Sequence, residues 1–150
     1  MREAFERKLV VAVEPARVWA ALIDFRQVAS WISIVAEAEE VVPLQSYSAV
    51  LADRIGPFKL RADLEVTLSD VRPGVSLVAR AAGEDRQVAS RIAVEAILAI
   101  APAGGGTEVS VSGHYEVLGR VASLGAGSIR KKADRVLEDF FGQAAASLGT

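Results

Sequence analysis

The strongest constraint in the chain is a strict alternation over positions 58–69. Phe58, Leu60, Ala62, Leu64, Val66 and Leu68 are apolar, and Lys59, Arg61, Asp63, Glu65, Thr67 and Ser69 between them are polar. Successive side chains of a β-strand point to opposite faces, so a period of two held over this length specifies a long strand with one wet and one buried face. Such strands belong to antiparallel sheets, and their apolar face must be covered by a second layer.

Turn chemistry places the neighbours. Gly56-Pro57 ends an upstream strand over positions 47–55, and Arg72-Pro73-Gly74 supplies a tight turn downstream. Further strands are expected over 75–82, 88–100 and 107–118, separated by Gly83-Glu84-Asp85 and by Pro102-Ala103-Gly104-Gly105-Gly106. Short connections of this kind join adjacent strands, so the segments form a meander. The glycine run is a hairpin turn and no phosphate loop, since neither Lys-Ser nor Lys-Thr follows it. Nearer the N-terminus, Leu9, Val10, Val11 and Val13 predict a strand over 5–13, which Glu14-Pro15 closes while opening a helix with proline in its first position. Val18, Trp19 and Leu22 form a narrow apolar stripe, and Asp24 with Gln27 resembles a capping box for a second short helix through Trp31.

Toward the C-terminus Ile129, Ala133, Val136, Leu137, Phe140 and Ala144 recur at spacings of three and four, with Arg130, Lys131, Asp134, Arg135, Glu138 and Asp139 between them. This is the stripe of a long amphipathic helix. The order is one strand, two short helices, a run of about six strands and one long helix. Segregated strands and helices give an α+β architecture, and 150 residues suffice for one domain over positions 1–150. The helix stripe is the cover the sheet requires, so a curved antiparallel sheet of about seven strands is expected to wrap the C-terminal helix.

Charge and composition narrow the partners. A formal net charge of −2 lacks the basic surface of a nucleic-acid binder. Cysteine is absent, which excludes disulfides, thiolate metal sites and cysteine nucleophiles and fits a cytoplasmic setting. The charged start Met1-Arg2-Glu3-Ala4-Phe5-Glu6-Arg7-Lys8 carries no export signal. No apolar run reaches the roughly 18 residues of a membrane span, so any membrane contact is expected to be peripheral, on the inner face.

Four fragments stand out in order along the chain. They are Pro15 with Val18-Trp19, Leu22 and Asp24; Arg54-Ile55-Gly56-Pro57-Phe58; Gly106-Thr107-Glu108-Val109; and Gly119-Arg120-Val121-Ala122 with Gly125, before a helix ending near Phe140-Phe141. Together they resemble the carbon monoxide dehydrogenase CoxG family of the START-like (SRPBCC), helix-grip superfamily. The resemblance implies a helix-grip fold and a non-enzymatic accessory role beside a molybdenum-containing carbon monoxide dehydrogenase or related hydroxylase, in its assembly or membrane recruitment. It implies a hydrophobic small molecule as ligand, lipid- or quinone-like, with molybdenum hydroxylase subunits as partners and no cofactor. The superfamily also contains cyclases, so a cyclase- or dehydratase-type enzyme using the same pocket is the alternative. The family's Ile-Pro-Gly-like segment is replaced here by Trp31-Ile32-Ser33-Ile34, so the loop at the pocket mouth is expected to differ.

The expected ligand contacts are Leu22 on the first helix; Tyr47, Phe58, Leu60, Leu64, Leu77, Ile92, Val94, Val111 and Tyr115 on strands; and Ile129, Ala133 and Val136 on the terminal helix. Two interiors are compatible with them. One is a solid core, since protein interiors pack at a density of about 0.75. The other is a cavity, left open by Ala62, Ala79, Ala96, Gly113, Gly125, Ala126 and Ala133 at facing positions. Tyr47 and Tyr115 join apolar area to one hydroxyl and are the candidate polar handles. His114, the sole histidine, points outward with Ser112 and Glu116 if Tyr115 points inward. Without a second histidine or a compact carboxylate set it builds neither a zinc site nor a Ser-His-Asp relay, so no metal and no catalytic residue is expected. An enzyme would need Asp53, Arg91 or His114 to converge with a tyrosine. Arg130, Lys131, Lys132 and Arg135 make the last helix locally basic, and Asp134, Glu138 and Asp139 dilute that charge into a solvated face.

Overall fold

The computed structural model describes residues 1–149. Its strands are β1 (Arg2–Val11), β2 (Val35–Val42), β3 (Ser46–Ile55), β4 (Phe58–Arg72), β5 (Ser76–Asp85), β6 (Ser90–Ala103) and β7 (Gly106–Gly119). The helices are α1 (Pro15–Leu22), α2 (Phe25–Ser30) and α3 (Ala126–Leu148), with a tight helical turn, Arg120–Leu124, leading into α3. The strands pair antiparallel in one sheet ordered β1-β7-β6-β5-β4-β3-β2, so β2 to β7 form a meander and β1 returns to pair with β7.

The alternating strand becomes β4. Leu60, Ala62 and Val66 are buried while Lys59, Arg61, Asp63, Glu65 and Thr67 are exposed. Residues directly opposite one another share a face of a sheet, so register carries this pattern across it. Leu64 lies opposite Ala49 on β3 and Gly83 on β5; Gly83 lies opposite Ile92 on β6, and Ile92 opposite Val117 on β7. This inner face meets α3 in two buried clusters. Leu51, Leu60 and Val117 pack with Ile129, and Leu77, Leu98, Ile100, Val109 and Val111 pack with Phe140, Ala144 and Leu148.

The sheet curls around α3. Arg130 and Lys132, within one turn of α3, reach β1 on one flank and β3 on the other, strands that lie five places apart in the sheet order. At about 4.8 Å per strand, a flat sheet would hold them some 24 Å from each other. The close strand approach depends on two inner-face glycines. A Cβ at Gly83 would lie 2.1 Å from the Asp63 carbonyl oxygen, and one at Gly113 would lie 1.9 Å from that of Glu95.

Three local features depart from the sequence-based expectation. Gly83-Glu84-Asp85, expected as a turn, ends β5, and the turn lies at 86–89. There the buried Asp85 carboxylate accepts the amides of Arg61 (2.7 Å), Gln87 (2.9 Å) and Val88 (3.2 Å). The Arg61 bond chiefly holds this carboxyl below the usual carboxylate range, against the opposing effect of burial. Half of the capping box forms: Asp24 accepts the Gln27 amide at 3.2 Å, but the Gln27 side chain donates to Ser147 Oγ at 3.0 Å, tying α2 to the end of α3. The sixth meander strand is the acidic β2, whose pairing with β3 is broken by register shifts near Glu37 and Glu40.

Candidate functional site: a half-buried belt over the centre of the sheet

The two large buried clusters occupy the two ends of the grip. One gathers α1, the C-terminal half of α3 and the β6–β7 hairpin around Val18, Trp31 and Phe140. The other gathers the start of α3, the Arg120–Leu124 turn and the β3–β4 hairpin around Leu60, Val121 and Ile129. Between them, Ala81 on β5 and Ile92, Val94 and Ala96 on β6 are only half-buried, as are Ala133, Val136 and Leu137 on α3. Of these, Ala96 packs against the first cluster, Ile92 against the second and Ala81 against a third around Tyr47. Among the described residues, Val94, Ala133 and Val136 join none of the buried clusters.

The expected contact residues therefore separate into groups. Leu22, Leu77 and Val111 are buried in the first cluster, Leu60 and Ile129 in the second, and Tyr47 with Ala49 and Val66 in a third on β3 and β4 against Phe25. Phe58 sits at the β3–β4 tip beneath Arg120, whose guanidinium carbon is 5.6 Å from the ring centre. Leu64, Ile92 and Tyr115 are half-buried against the second cluster, and Val94, Ala133 and Val136 are half-buried outside the clusters.

The two tyrosines differ in their hydrogen bonding. The Tyr47 hydroxyl accepts the Leu44 amide at 2.8 Å, and its ring stacks on Phe25 with centroids 4.1 Å apart. Tyr115 lies opposite Val94 on β6 and Glu3 on β1, stacks on Phe5 at 6.4 Å, and has a buried hydroxyl oxygen with no hydrogen-bond partner. Burial raises its ionisation above the ordinary phenol range, and the nearby charges of Glu3 and Asp134 add to that. The phenol is therefore a neutral donor.

Ion pairs fasten α3 on both flanks. Arg130 bonds Glu3 at 2.7 Å, Arg7 bonds Asp134 at 3.0 Å, and Lys132 pairs with Asp53. The Arg130 hydrogen bond holds the Glu3 carboxyl below its usual range. The sequence reading did not assign these clamps, yet it contained their signal. Glu3, Arg7 and Asp53 occupy inner-face parity among apolar residues, where a charge requires a partner.

The groups an enzyme would need do not converge. His114 lies opposite Ala4 and Glu95, and Arg91 opposite Glu84 and Leu118, all with outward parity. Asp53 faces inward but is neutralised by Lys132. Among the described residues, no group of three or more His, Asp or Glu side chains is placed to hold a metal, and no helix is long and apolar enough to cross a membrane. Two open clefts lie elsewhere: about 300 Å³ beside Arg17, Gln27 and Ser147, and about 470 Å³ between Phe25, Arg26 and Glu40. Neither is lined by an expected contact residue.

Comparison with solved structures supports the architecture. A conserved protein from Geobacillus kaustophilus superposes with a TM-score of 0.84 at 19% identity, covering 99% of this chain and 95% of its own. Protein CV1439 from Chromobacterium violaceum gives 0.69 at 14% identity, covering 98% and 97%. Ara h 8.0201 gives 0.64 at 12% identity, covering 99% and 98%. At these identities the likeness shows the fold, which is the helix grip. No curated protein matches the chain by sequence. The model of the carbon monoxide dehydrogenase CoxG family matches residues 8–149. With both grip and sequence signature in place, the chain belongs to the carbon monoxide dehydrogenase CoxG family.

Proposed function

We propose that this protein is a single ligand-binding domain that holds a hydrophobic small molecule, lipid- or quinone-like, between β5, β6 and α3, without catalysing a reaction. The observation that carries the reading is the half-buried apolar belt between two well-packed ends. A fold stabilised by burial leaves its central strands uncovered only at a cost, and an apolar ligand removes that cost. The unpartnered Tyr115 hydroxyl supplies one donor at the border of the belt, suited to a neutral acceptor on an otherwise apolar ligand. The family name supports the partner. The protein acts as an accessory to a molybdenum-containing carbon monoxide dehydrogenase or related hydroxylase, in assembly or recruitment to the inner membrane face.

The test is native mass spectrometry of the full chain purified without detergent, with a titration using the neutral dye Nile red. The reading expects a co-purified adduct of a few hundred daltons or one-to-one dye binding, either of which Val94→Trp abolishes. A bare mass together with no dye uptake overturns it.

A further inference from the structure

The β3–β4 hairpin tip carries a charge arrangement unrelated to the half-buried belt. Arg54 and Lys59 are direct cross-strand partners, one step before the turn at Gly56-Pro57. Like charges placed opposite one another in an antiparallel pair repel and destabilise the hairpin. Elsewhere Arg61 pairs with Glu37, Arg80 with Glu95, and Arg86 with Glu84, and the strand cations without an ion pair, Arg2, Lys8, Arg72 and Arg91, lie opposite Glu116, Ser110, Ser76 and Glu84 and face no like charge. Among the described residues, neither Arg54 nor Lys59 has a carboxylate within ion-pair distance, and neither does Arg120, which is held over the Phe58 ring on the other side of the same tip. Three uncompensated cations thus surround one tight turn in a protein whose net charge is −2.

We infer that this tip is a docking surface for an acidic protein segment. The charge is local and exposed, which favours capture of an anionic partner over long range. The cation–π contact pre-orients the Arg120 guanidinium for carboxylates. A membrane fits less well, because a basic patch holds a bilayer stably only with a second, apolar anchor. Phe58 and Ile55 are partly buried at the tip, and the exposed Val41 and Val42 at the end of β2, with Leu44 and Val75 in turns, lie at the opposite end of the strands. Leu118 is the one large exposed apolar side chain toward the cationic end among the described residues.

The experiment measures binding of a fluorescent polyglutamate peptide to the full chain at near-physiological salt, with vesicles of phosphatidylserine and phosphatidylcholine as a second arm. The proposal expects saturable, salt-sensitive peptide binding that weakens at least tenfold in Arg54→Ser/Lys59→Ser/Arg120→Ser. It should persist in Lys8→Ser/Arg26→Ser/Arg72→Ser, which removes equal charge elsewhere. Melting of Lys59→Thr gives an independent readout: relief of the repulsion raises the midpoint while peptide affinity falls. Absent binding, equal loss in both triple variants, or binding to anionic vesicles without binding to the peptide overturns the assignment.

Discussion

Lys132 on α3 pairs with Asp53 on β3, on the flank of the helix opposite the Glu3–Arg130 pair. Both Lys132 and Asp53 are less than one-third exposed, so each depends on the other for compensation. Asp53→Ala leaves a half-buried ammonium unpaired and is expected to cost about 1–3 kcal/mol, between the values for exposed and buried pairs. Asp53→Ala/Lys132→Met should recover part of that loss. Urea denaturation measures both, and hydrogen exchange should report faster opening of the first turns of α3 in the single variant.

Tyr115→Phe removes a hydroxyl that has no partner in the free protein. Loss of an unsatisfied buried group is expected to leave stability unchanged or raise it by about 1 kcal/mol. If the hydroxyl serves the ligand, the same variant weakens ligand retention without unfolding. Thermal melting and native mass spectrometry separate the two effects, and a destabilised Tyr115→Phe would show that the hydroxyl is already bonded.

Filling the proposed binding belt and emptying the core should have opposite consequences. Ala96→Phe places a ring over the centre of the sheet, where the ligand is proposed to sit, and is expected to abolish Nile red binding with little change in stability. Leu60→Ala, in the well-packed end, is expected to cost about 2–5 kcal/mol. A solid centre would reverse the first expectation, making Ala96→Phe strongly destabilising through overpacking.

Asp85 sets an acid limit. Its carboxyl titrates below the 3.8 of an ordinary aspartate. In acid the unfolded chain therefore takes up the proton first. The stabilisation is complete above the ordinary value and is lost as pH falls through the lowered one. Asp85→Asn should flatten the acid limb of a stability–pH curve and reduce stability at neutral pH by roughly 1–3 kcal/mol. Glu3, also held low by Arg130, leaves a residual slope of the same sign.

The elements visible in sequence were those whose pattern is local. The β4 alternation and the Ile129–Phe140–Ala144 stripe each declare a buried face without reference to anything else. β2 escaped because Val35-Ala36-Glu37-Ala38-Glu39-Glu40 is acidic and bulged, so its period slips. Gly83 reads as a turn residue but is instead a point of close strand approach, which depends on the neighbouring Asp63 backbone. The same division holds at the candidate site. Strand parity places Val94 and Tyr115 on the inward face and the helical stripe includes Ala133, whereas the distinction between a buried Leu77 and a half-buried Val94 depends on the arc of the sheet and the seating of α3.

The β1–β7 pairing has a consequence for how the chain acquires its form. The Met1 amine and the Val117 carbonyl bond at 2.9 Å although 116 residues separate them, while every other strand pairing joins consecutive strands. Hairpins can zip in order from β2 onward, but β1 cannot find its place until β7 exists. During synthesis the first strand leaves the ribosome early and waits, unpaired, through most of translation. Moving β1 to follow α3 in a circular permutant removes that wait, because its partner β7 is then already made, and the shorter separation should accelerate refolding.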